Sequence, residues 1–174
     1  MRSSHQNTLG LKSHTIRHVS DVPRLTLTLE VRAQVGEPIE LGSIASGRRR
    51  MVPIIGGTFE GRGDLLIRGR VCPGGADWQV IQPDGLTEAD ARYILETDRG
   101  QRIIVRNRGL RHAPVDVMLR LLAGEPVDPA LVYFRSAPVF ETAAPELQRL
   151  VRAIFIGVGE RYPREVVVRF WKVE

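Results

Sequence analysis

Apolar and polar residues alternate with a period of two through most of the chain from Leu25 onward. This period is typical of strands with one buried and one wetter face. The first such stretch has its apolar face on Leu25, Leu27, Leu29, Val31 and Ala33. Further strands are predicted at residues 50–55, 64–72, 78–82, 88–97, 102–108, 132–141, 153–158 and 165–173. The last strand is apolar on both faces, which predicts that a helix or a partner subunit covers its outer side.

Turn residues separate these segments, with no long helices between them. Pro83-Asp84-Gly85 and Asp98-Arg99-Gly100 place a glycine where a tight turn needs a positive φ. Strands joined at this spacing form hairpins, and hairpins indicate an antiparallel sheet. Two short helices are predicted at residues 114–122 and 145–151, each beginning with a proline that suits a first helical turn.

About nine strands of this kind must protect their edges. A closed barrel removes the edges completely, whereas a two-sheet sandwich does so only in part. Glycines in or beside the predicted strands relieve strong bending and favour the barrel; they are Gly61, Gly63, Gly69, Gly74 and Gly75. We predict an all-β fold: a single antiparallel β-barrel of about nine or ten strands with one or two short helices. It would span residues 23–174, after a flexible, polar N-terminal tail at residues 1–22.

The formal net charge of +5 and the pI near 10.1 raise the question of a nucleic-acid partner. Residues 1–20 contain three of the 25 basic residues and no acid. The rest of the chain therefore has 22 basic and 20 acidic residues, a net charge of only +2. A nucleic-acid binder concentrates its basic residues on one surface. Here the arginines are scattered among acids, and the one tight run, residues 48–50, is interpreted as a solvated turn. We therefore predict no nucleic-acid partner.

Several other classes of protein and site lack their required residues. No apolar run approaches the roughly 20 residues of a membrane-spanning helix, and residues 1–20 lack the apolar core of a secretory signal. The single cysteine, Cys72, excludes an internal disulfide. His112 is the one histidine beyond the tail, so neither a histidine metal site nor a Ser/His/Asp triad is expected. We predict a cytoplasmic protein with no membrane partner, no metal and no cofactor.

The remaining chemistry belongs to carboxylates, arginines and tyrosines. One face of the strand predicted at residues 88–97 carries Asp90, Arg92 and Glu96. Other pairs that share a face are Tyr133 with Arg135, Thr58 with Glu60, and Asp77 with Gln79. Each row either faces solvent or lines the lumen, where the charges would have to pair to offset their desolvation.

A set of short motifs carries a resemblance to a known family. They are Ile54-Ile55-Gly56-Gly57-Thr58-Phe59-Glu60-Gly61, Pro73-Gly74-Gly75-Ala76-Asp77-Trp78, Asp90-Ala91-Arg92-Tyr93, Leu95-Glu96-Thr97, Tyr133-Phe134-Arg135 and Phe140-Glu141-Thr142. With this order and spacing, residues 25–173 resemble the uncharacterised protein family 0311, also called domain of unknown function 3237. The resemblance implies a small antiparallel β-barrel and no established activity. Two departures, at residues 113–129 and 146–152, would reshape one rim of the barrel.

The resemblance also implies which residues occupy the motif positions of the family. They are Gly57, Glu60, Gly75, Asp77, Trp78, Arg92, Tyr93, Glu96, Tyr133, Arg135 and Glu141. We expect a small organic metabolite to bind in a lumen lined partly by Glu60, Asp77, Arg92, Glu96, Tyr133 and Arg135, with Trp78, Tyr93 and Glu141 as further ligand contacts.

One hypothesis is a cofactor-free acid–base enzyme, an isomerase, lyase or hydrolase acting on a carboxylated or carbonyl metabolite. Arg92 or Arg135 would bind a substrate carboxylate, and Tyr133 would donate to a developing oxyanion. The proton would be moved by Glu60, Asp77 or Glu96.

Two alternatives stay open: a non-catalytic ligand-binding protein, and a homodimeric interaction protein joined through the last strand. Whether the lumen carboxylates pair with arginines distinguishes a ligand-binding protein from an enzyme. A carboxylate in an apolar pocket without an arginine partner has a raised pKa and can serve as an acid or base. A lumen packed solid with apolar side chains would instead favour the interaction protein.

Overall fold

The computed structural model describes residues 22–174 of the chain. The strands of this part are β1 (Leu25–Val35), β2 (Ile39–Ile44), β3 (Gly47–Gly61), β4 (Arg68–Val71), β5 (Gly75–Ile81), β6 (Thr87–Thr97), β7 (Arg102–His112), β8 (Tyr133–Glu141), β9 (Phe155–Arg161) and β10 (Glu165–Val173). The helices are α1 (Val115–Leu122) and α2 (Gln148–Val151), with 3-10 turns at Pro129–Leu131 and Pro145–Leu147. The flexible tail predicted at residues 1–22 falls almost entirely on residues 1–21, outside the described residues.

The strands form one closed antiparallel barrel. Neighbouring strands pair in the order β1, β10, β9, β8, β7, β6, and β6 then pairs with both β4 and β5. Both of these pair with β3, and β3 pairs with β1, which closes the wall with eight positions. The predicted fold class and the two short helices are therefore confirmed. Strand β2, which was not predicted, pairs with the first part of β3, and all its residues are exposed, so it has no buried face to detect.

The alternation along each strand separates the lumen from the outer surface. On β6, Tyr93 and Leu95 point inward and are nearly fully buried, whereas the charged row of Asp90, Arg92 and Glu96 lies on the outer face. The apolar residues take the interior because burying them removes their surface from water. No helix of residues 22–174 is long and apolar enough to cross a membrane.

The two ends of the lumen differ in chemistry. At one end, the ring of Phe140 makes edge contacts with Phe155 and Phe170, with ring centroids 5.1 and 5.4 Å apart. Leu147 and Leu150, from the segment that contains α2, are buried in the same apolar cluster. We call this the apolar end. The opposite end, formed by the last residues of β1, β7 and β9 and the first residues of β3, β8 and β10, carries most of the buried polar side chains and is called the polar end.

Charged side chains flank the last strand on its outer face. Val167 on β10 is 1% exposed and pairs in register with Arg32 and Glu160. Close by, Arg169 forms ion pairs with Glu30 at 2.9 Å and with Glu160 at 2.5 Å. These partly buried ion pairs place ionic side chains beside the apolar row. A dimer through this strand stays a prediction.

Closure of the barrel depends on a glycine at residue 57. Gly57 has φ +127°, and a methyl group added there would lie 2.0 Å from the carbonyl oxygen of Arg32 on the paired strand β1. We expect Gly57→Ala to lower the free energy of unfolding by at least about 2 kcal/mol, because backbone strain and overlap with β1 act together. Urea denaturation measures the change.

A second glycine gives a matched control. Gly74 has φ +100°, and a methyl group added there would meet no atom within 4 Å. Gly74→Ala therefore tests the backbone strain alone and should destabilise the protein less than Gly57→Ala. Equal losses in the two variants would show that the approach of β1 is not what requires the glycine.

Candidate functional site

The polar end of the lumen contains a cavity. Strand β6 contributes Tyr93 and, nearer the rim, only the methyl groups of Ala89 and Ala91. On either side of it, β5 presents Asp77 and Gln79, and β7 presents Arg111. The short side chains of β6 thus leave space between two strands that carry polar groups. The volume open to the centres of water-sized molecules is about 40 Å³. A water needs about 10–15 Å³ by this measure, so the cavity suits a group the size of a carboxylate.

Three arginines point into this end of the barrel: Arg50 from β3, Arg111 from β7 and Arg161 from β9. Arg50 and Arg111 are 5% and 3% exposed. Burial lowers the pKa of Arg111 to about 10, with a further lowering by Arg50 and Arg161, while the attraction of Asp77 opposes the shift. Burial also lowers the pKa of Arg50 and of Arg161. A group with a pKa of about 10 is still charged at neutral pH, so buried positive charge concentrates here.

The side chain of Arg111 is held against an aromatic ring. Its Cζ lies 5.8 Å from the centroid of the Phe134 ring, and Phe134 is its register partner on β8. The ring has room because residue 159 is a glycine, where a methyl group would lie 2.4 Å from the ring. Nε and Nη2 of Arg111 are buried and have no hydrogen-bond partner among residues 22–174. Leaving charged donors unpaired is costly, so this guanidinium is suited to an acceptor.

A chain of hydrogen bonds fixes the carboxyl group of Asp77. Nε of Arg50 donates to Oε1 of Gln79 at 2.8 Å, and Nε2 of Gln79 donates to Oδ2 of Asp77 at 2.5 Å. Because the guanidinium can only donate, it fixes which end of the Gln79 amide faces Asp77. The other carboxyl oxygen, Oδ1, is buried without a hydrogen-bond partner in the described part of the chain.

Burial raises the pKa of Asp77 above its ordinary value. The hydrogen bond from Gln79, the charges of Arg111 and Arg50, and a contribution from the backbone of Asp90 act in the opposite direction without cancelling this effect. None of the ion pairs formed by residues 22–174 includes Asp77. A carboxyl group in this state keeps its proton to a higher pH than a surface aspartate does, which suits it to exchange a proton with a ligand.

The profile of the family described as "Protein of unknown function (DUF3237)" matches residues 23–173. The chain belongs to this family. A relative from Rhodopseudomonas palustris strain TIE-1, called "UPF0311 protein", is 43% identical over 150 residues, which cover 83% of this chain and 96% of the relative. The family resemblance seen in the sequence motifs is therefore confirmed.

Solved structures share the same barrel. The crystal structure of a conserved protein of unknown function from Rhodopseudomonas palustris has a TM-score of 0.85 and 39% identity, and covers 89% of this chain and 100% of its own. An enzyme from Penicillium herquei has a TM-score of 0.65 at 17% identity, covering 91% of this chain and 100% of its own. At that identity the second likeness concerns the fold alone.

Two of the DUF3237 motif positions line the lumen. Asp77 lines the cavity, and so does Tyr93, which is 6% exposed and whose pKa is raised by burial. The inward position of Asp77 is the one that the sequence predicted, whereas Tyr93 was predicted only as a ligand contact. Their roles in binding or catalysis stay predictions.

Five other DUF3237 motif positions were predicted to line the lumen, and that placement is wrong for each of them. Glu60 lies outside beside Arg62, at 2.9 Å, and Arg92 lies outside with its side chain 60% exposed. Glu96 accepts hydrogen bonds from Arg70 and Arg102, which hold its pKa below the ordinary value. On both strands, β3 and β6, the alternate residues are the ones that fill the interior.

The other misplaced residues are on β8. Tyr133 stacks on His112 at a centroid distance of 4.7 Å, and Cζ of Arg135 lies 5.2 Å from the same tyrosine ring. These side chains form an outer cluster because Phe134 and Ser136 take the inward positions. The expected ligand contacts Trp78 and Glu141 are likewise exposed on the outer face.

Sequence reasoning missed most of the polar side chains of the cavity region: Arg50, Asn107, Arg111, Ser136 and Arg161. The period-two pattern contains a signal for two of them. Arg111 continues the apolar row of Ile103 and Val105, and Arg50 continues that of Val52 and Ile54. Because Arg50 belongs to a run of three arginines, it was interpreted as part of a solvated turn; the structure shows it buried. Among the described residues, no group of three His, Cys, Asp or Glu side chains could hold a metal ion.

Proposed function

We propose that the polar end of the lumen binds a small organic anion and that Asp77 exchanges a proton with it. The observation that carries this proposal is the guanidinium of Arg111, which is 3% exposed and has two donors, Nε and Nη2, without protein partners among residues 22–174. A carboxylate accepts two parallel hydrogen bonds from an arginine and matches its charge.

The charges of the site support an anionic ligand. Three guanidinium groups, Arg50, Arg111 and Arg161, act on one another, and Asp77 is the carboxyl that acts on all three. The exposed Glu40 and Glu37 act only on Arg50 and Arg161, respectively. One carboxylate balances at most one of the three positive charges. A bound anion would offset part of the remaining repulsion in a region where water screens charges poorly.

The state of Asp77 supports acid–base chemistry over simple ligand storage. In a protein that only binds an anion, the lumen carboxyl would be expected to pair with an arginine. Here Oδ1 of Asp77 has no hydrogen-bond partner in the described part of the chain, and burial raises its pKa. A proton leaving a carbon next to a carbonyl group would pass to Oδ1, while the positive charge of the neighbouring arginines would stabilise the charge that develops on the carbonyl oxygen.

The class of reaction follows from these two groups. We infer a cofactor-free isomerase, lyase or hydrolase acting on a small carboxylated or carbonyl compound. A fungal protein with the same fold is described as an enzyme, which is compatible with this inference at the level of the fold. The cavity and its buried arginines favour ligand binding over a protein that acts only through its surface.

We expect Arg111→Gln to weaken the binding of short carboxylates by about 10- to 150-fold, because a hydrogen bond to a charged group contributes about 1.5–3 kcal/mol. Isothermal titration with acetate, propionate and 2-oxo acids measures the effect. Glutamine keeps a donor and much of the side-chain length, so the loss reports the charge and the paired geometry of the guanidinium.

Two outward arginines serve as matched controls. Arg108→Gln changes an exposed residue on the same strand β7, and Arg92→Ala removes an outward side chain of β6 whose nearest carboxylate is Asp90, at 3.5 Å. Both should bind the carboxylates as the wild type does. Equal binding by wild type and Arg111→Gln, with both proteins folded, would contradict the proposed anion site.

A further inference from the structure

A groove crosses the polar end of the barrel beside the cavity. It lies between the end of α1, at Leu121–Gly124, and the turn between β9 and β10, at residues 161–164. Its volume is about 320 Å³, against about 40 Å³ for the cavity by the same measure. The groove is thus large enough for the body of a metabolite, whereas the cavity holds only a small group.

The groove and the cavity meet at two residues. Arg161 and Val35 line both of them. Arg161 is partly exposed, and its Nη1 donates to the carbonyl oxygen of Glu165 at 3.4 Å. A side chain that borders both spaces stands where a ligand would pass from the groove to Arg111.

We propose that the groove holds the apolar body of the ligand whose anionic group reaches Arg111. The ligand class is then an organic monocarboxylate with an apolar body of several carbon atoms, rather than a compact diacid. This inference rests on the proposed anion site and adds to it the shape of the ligand and the route by which it enters.

The lining of the groove fits such a ligand. Ile55 on β3 is 54% exposed, and Leu122 of α1 is partly exposed beside it. Covering these side chains with a hydrocarbon body would remove apolar surface from water. The charged residues of the groove are Arg50, Arg161 and Arg164 against the single acid Glu37, so an anion is attracted along its length.

The test is a series of straight-chain carboxylates, from acetate through butyrate and hexanoate to octanoate, titrated into the full chain. Once the carbon chain extends beyond the cavity, affinity should rise by about fourfold per methylene, the factor that full burial of a CH₂ supplies. The affinity for acetate reports the anion site alone, so the slope against chain length reports the groove.

Three variants test whether the groove causes this gain in affinity with chain length. Ile55→Ser and Leu122→Ser should reduce the gain per methylene and leave acetate binding unchanged, because both substitutions alter the groove and neither changes Arg111. Leu119→Ser is the control, since Leu119 is 64% exposed on the same helix and does not line the groove. Ile55 is an exposed strand residue, so its variant keeps the test valid even if Leu122→Ser unfolds α1.

Each result has a distinct meaning. Arg111-dependent binding with equal affinity for all four acids would overturn the groove and leave the proposed anion site standing. A slope that persists in both Ile55→Ser and Leu122→Ser would also overturn it. Absence of Arg111-dependent binding for every acid would overturn the proposed function itself, and the groove proposal with it.

Discussion

We expect Asp77→Asn to reduce proton transfer to and from a bound 2-oxo acid by a factor of about 10²–10⁴, the contribution of a well-placed general base. Asparagine keeps the shape of the side chain and can still accept the hydrogen bond from Gln79, so the site should stay intact. Exchange of the protons next to the carbonyl group for deuterium, followed by proton NMR in D₂O, measures the reaction directly. Carboxylate binding should persist, because it depends on Arg111.

The same variant has a second expected result, on stability. The pKa of Asp77 is raised in the folded protein by burial, so the folded state holds this proton more tightly than the unfolded state does. The stabilisation from protonated Asp77 is complete below the ordinary aspartate pKa of about 3.9 and is lost as the pH rises through the raised value. Asp77→Asn should therefore melt at a higher temperature than the wild type at neutral pH, and the difference should disappear near pH 3.

A control separates the site from the charge change. Asp98→Asn removes a carboxylate that is 59% exposed and pairs with Arg68 at 2.9 Å on the surface. It should change neither exchange nor the dependence of stability on pH, since exposed ion pairs contribute little. Exchange at the wild-type rate in Asp77→Asn would remove the acid–base role and leave a binding protein. A lower melting temperature at neutral pH would show that the arginines need the negative charge.

Phe170→Ala should lower the free energy of unfolding by about 3–5 kcal/mol, a large share of the stability of a single domain. Phe170 is fully buried, and its ring packs edge-on against Phe140. A methyl group at residue 157 would lie 3.2 Å from the ring, so a glycine at that position allows the ring to pack closely against β9. Removing the ring would leave a cavity that the stiff strands around it cannot close. Urea denaturation measures the loss.

An exposed apolar residue is the matched control. Ile104 is 48% exposed on the outer face of β7, and Ile104→Ala should change stability by no more than about 0.5 kcal/mol. Because Phe170 belongs to the apolar end, folded Phe170→Ala should still bind short carboxylates at the polar end. A loss below about 1 kcal/mol would mean that the aromatic cluster tolerates the cavity or collapses around it.

Local sequence was sufficient to predict the architecture. The strands and the two helices follow from period-two and helical patterns, and Gly85 and Gly100 adopt the positive φ values that the turn motifs require. These features depend on neighbours within a few residues, which is why a single sequence reveals them. Strand β2 was not predicted because its residues are all exposed. Its position depends on pairing with β3 rather than on a buried face.

The candidate site was predicted less well, and the reason is specific. A strand with a period-two pattern has two faces, and the sequence alone does not say whether a charged row faces solvent or a polar lumen. On β6 the row with Arg92 and Glu96 lies outside, whereas on β5 the row with Asp77 and Gln79 lies inside. Asp77 was among the predicted residues, but its arginine neighbours were not.

The sequence by itself determined an all-β chain of the DUF3237 family, with tight turns and a set of polar candidates that includes Asp77. Only the tertiary structure decided that Arg50, Arg111 and Arg161 meet beside it, from positions at least 50 residues apart in the chain. Antiparallel order brings the ends of β7 and β9 and the start of β3 to one end of the barrel. The short side chains of Ala89 and Ala91 leave the space between them. Such convergence depends on the register of the closed wall, which no local pattern encodes.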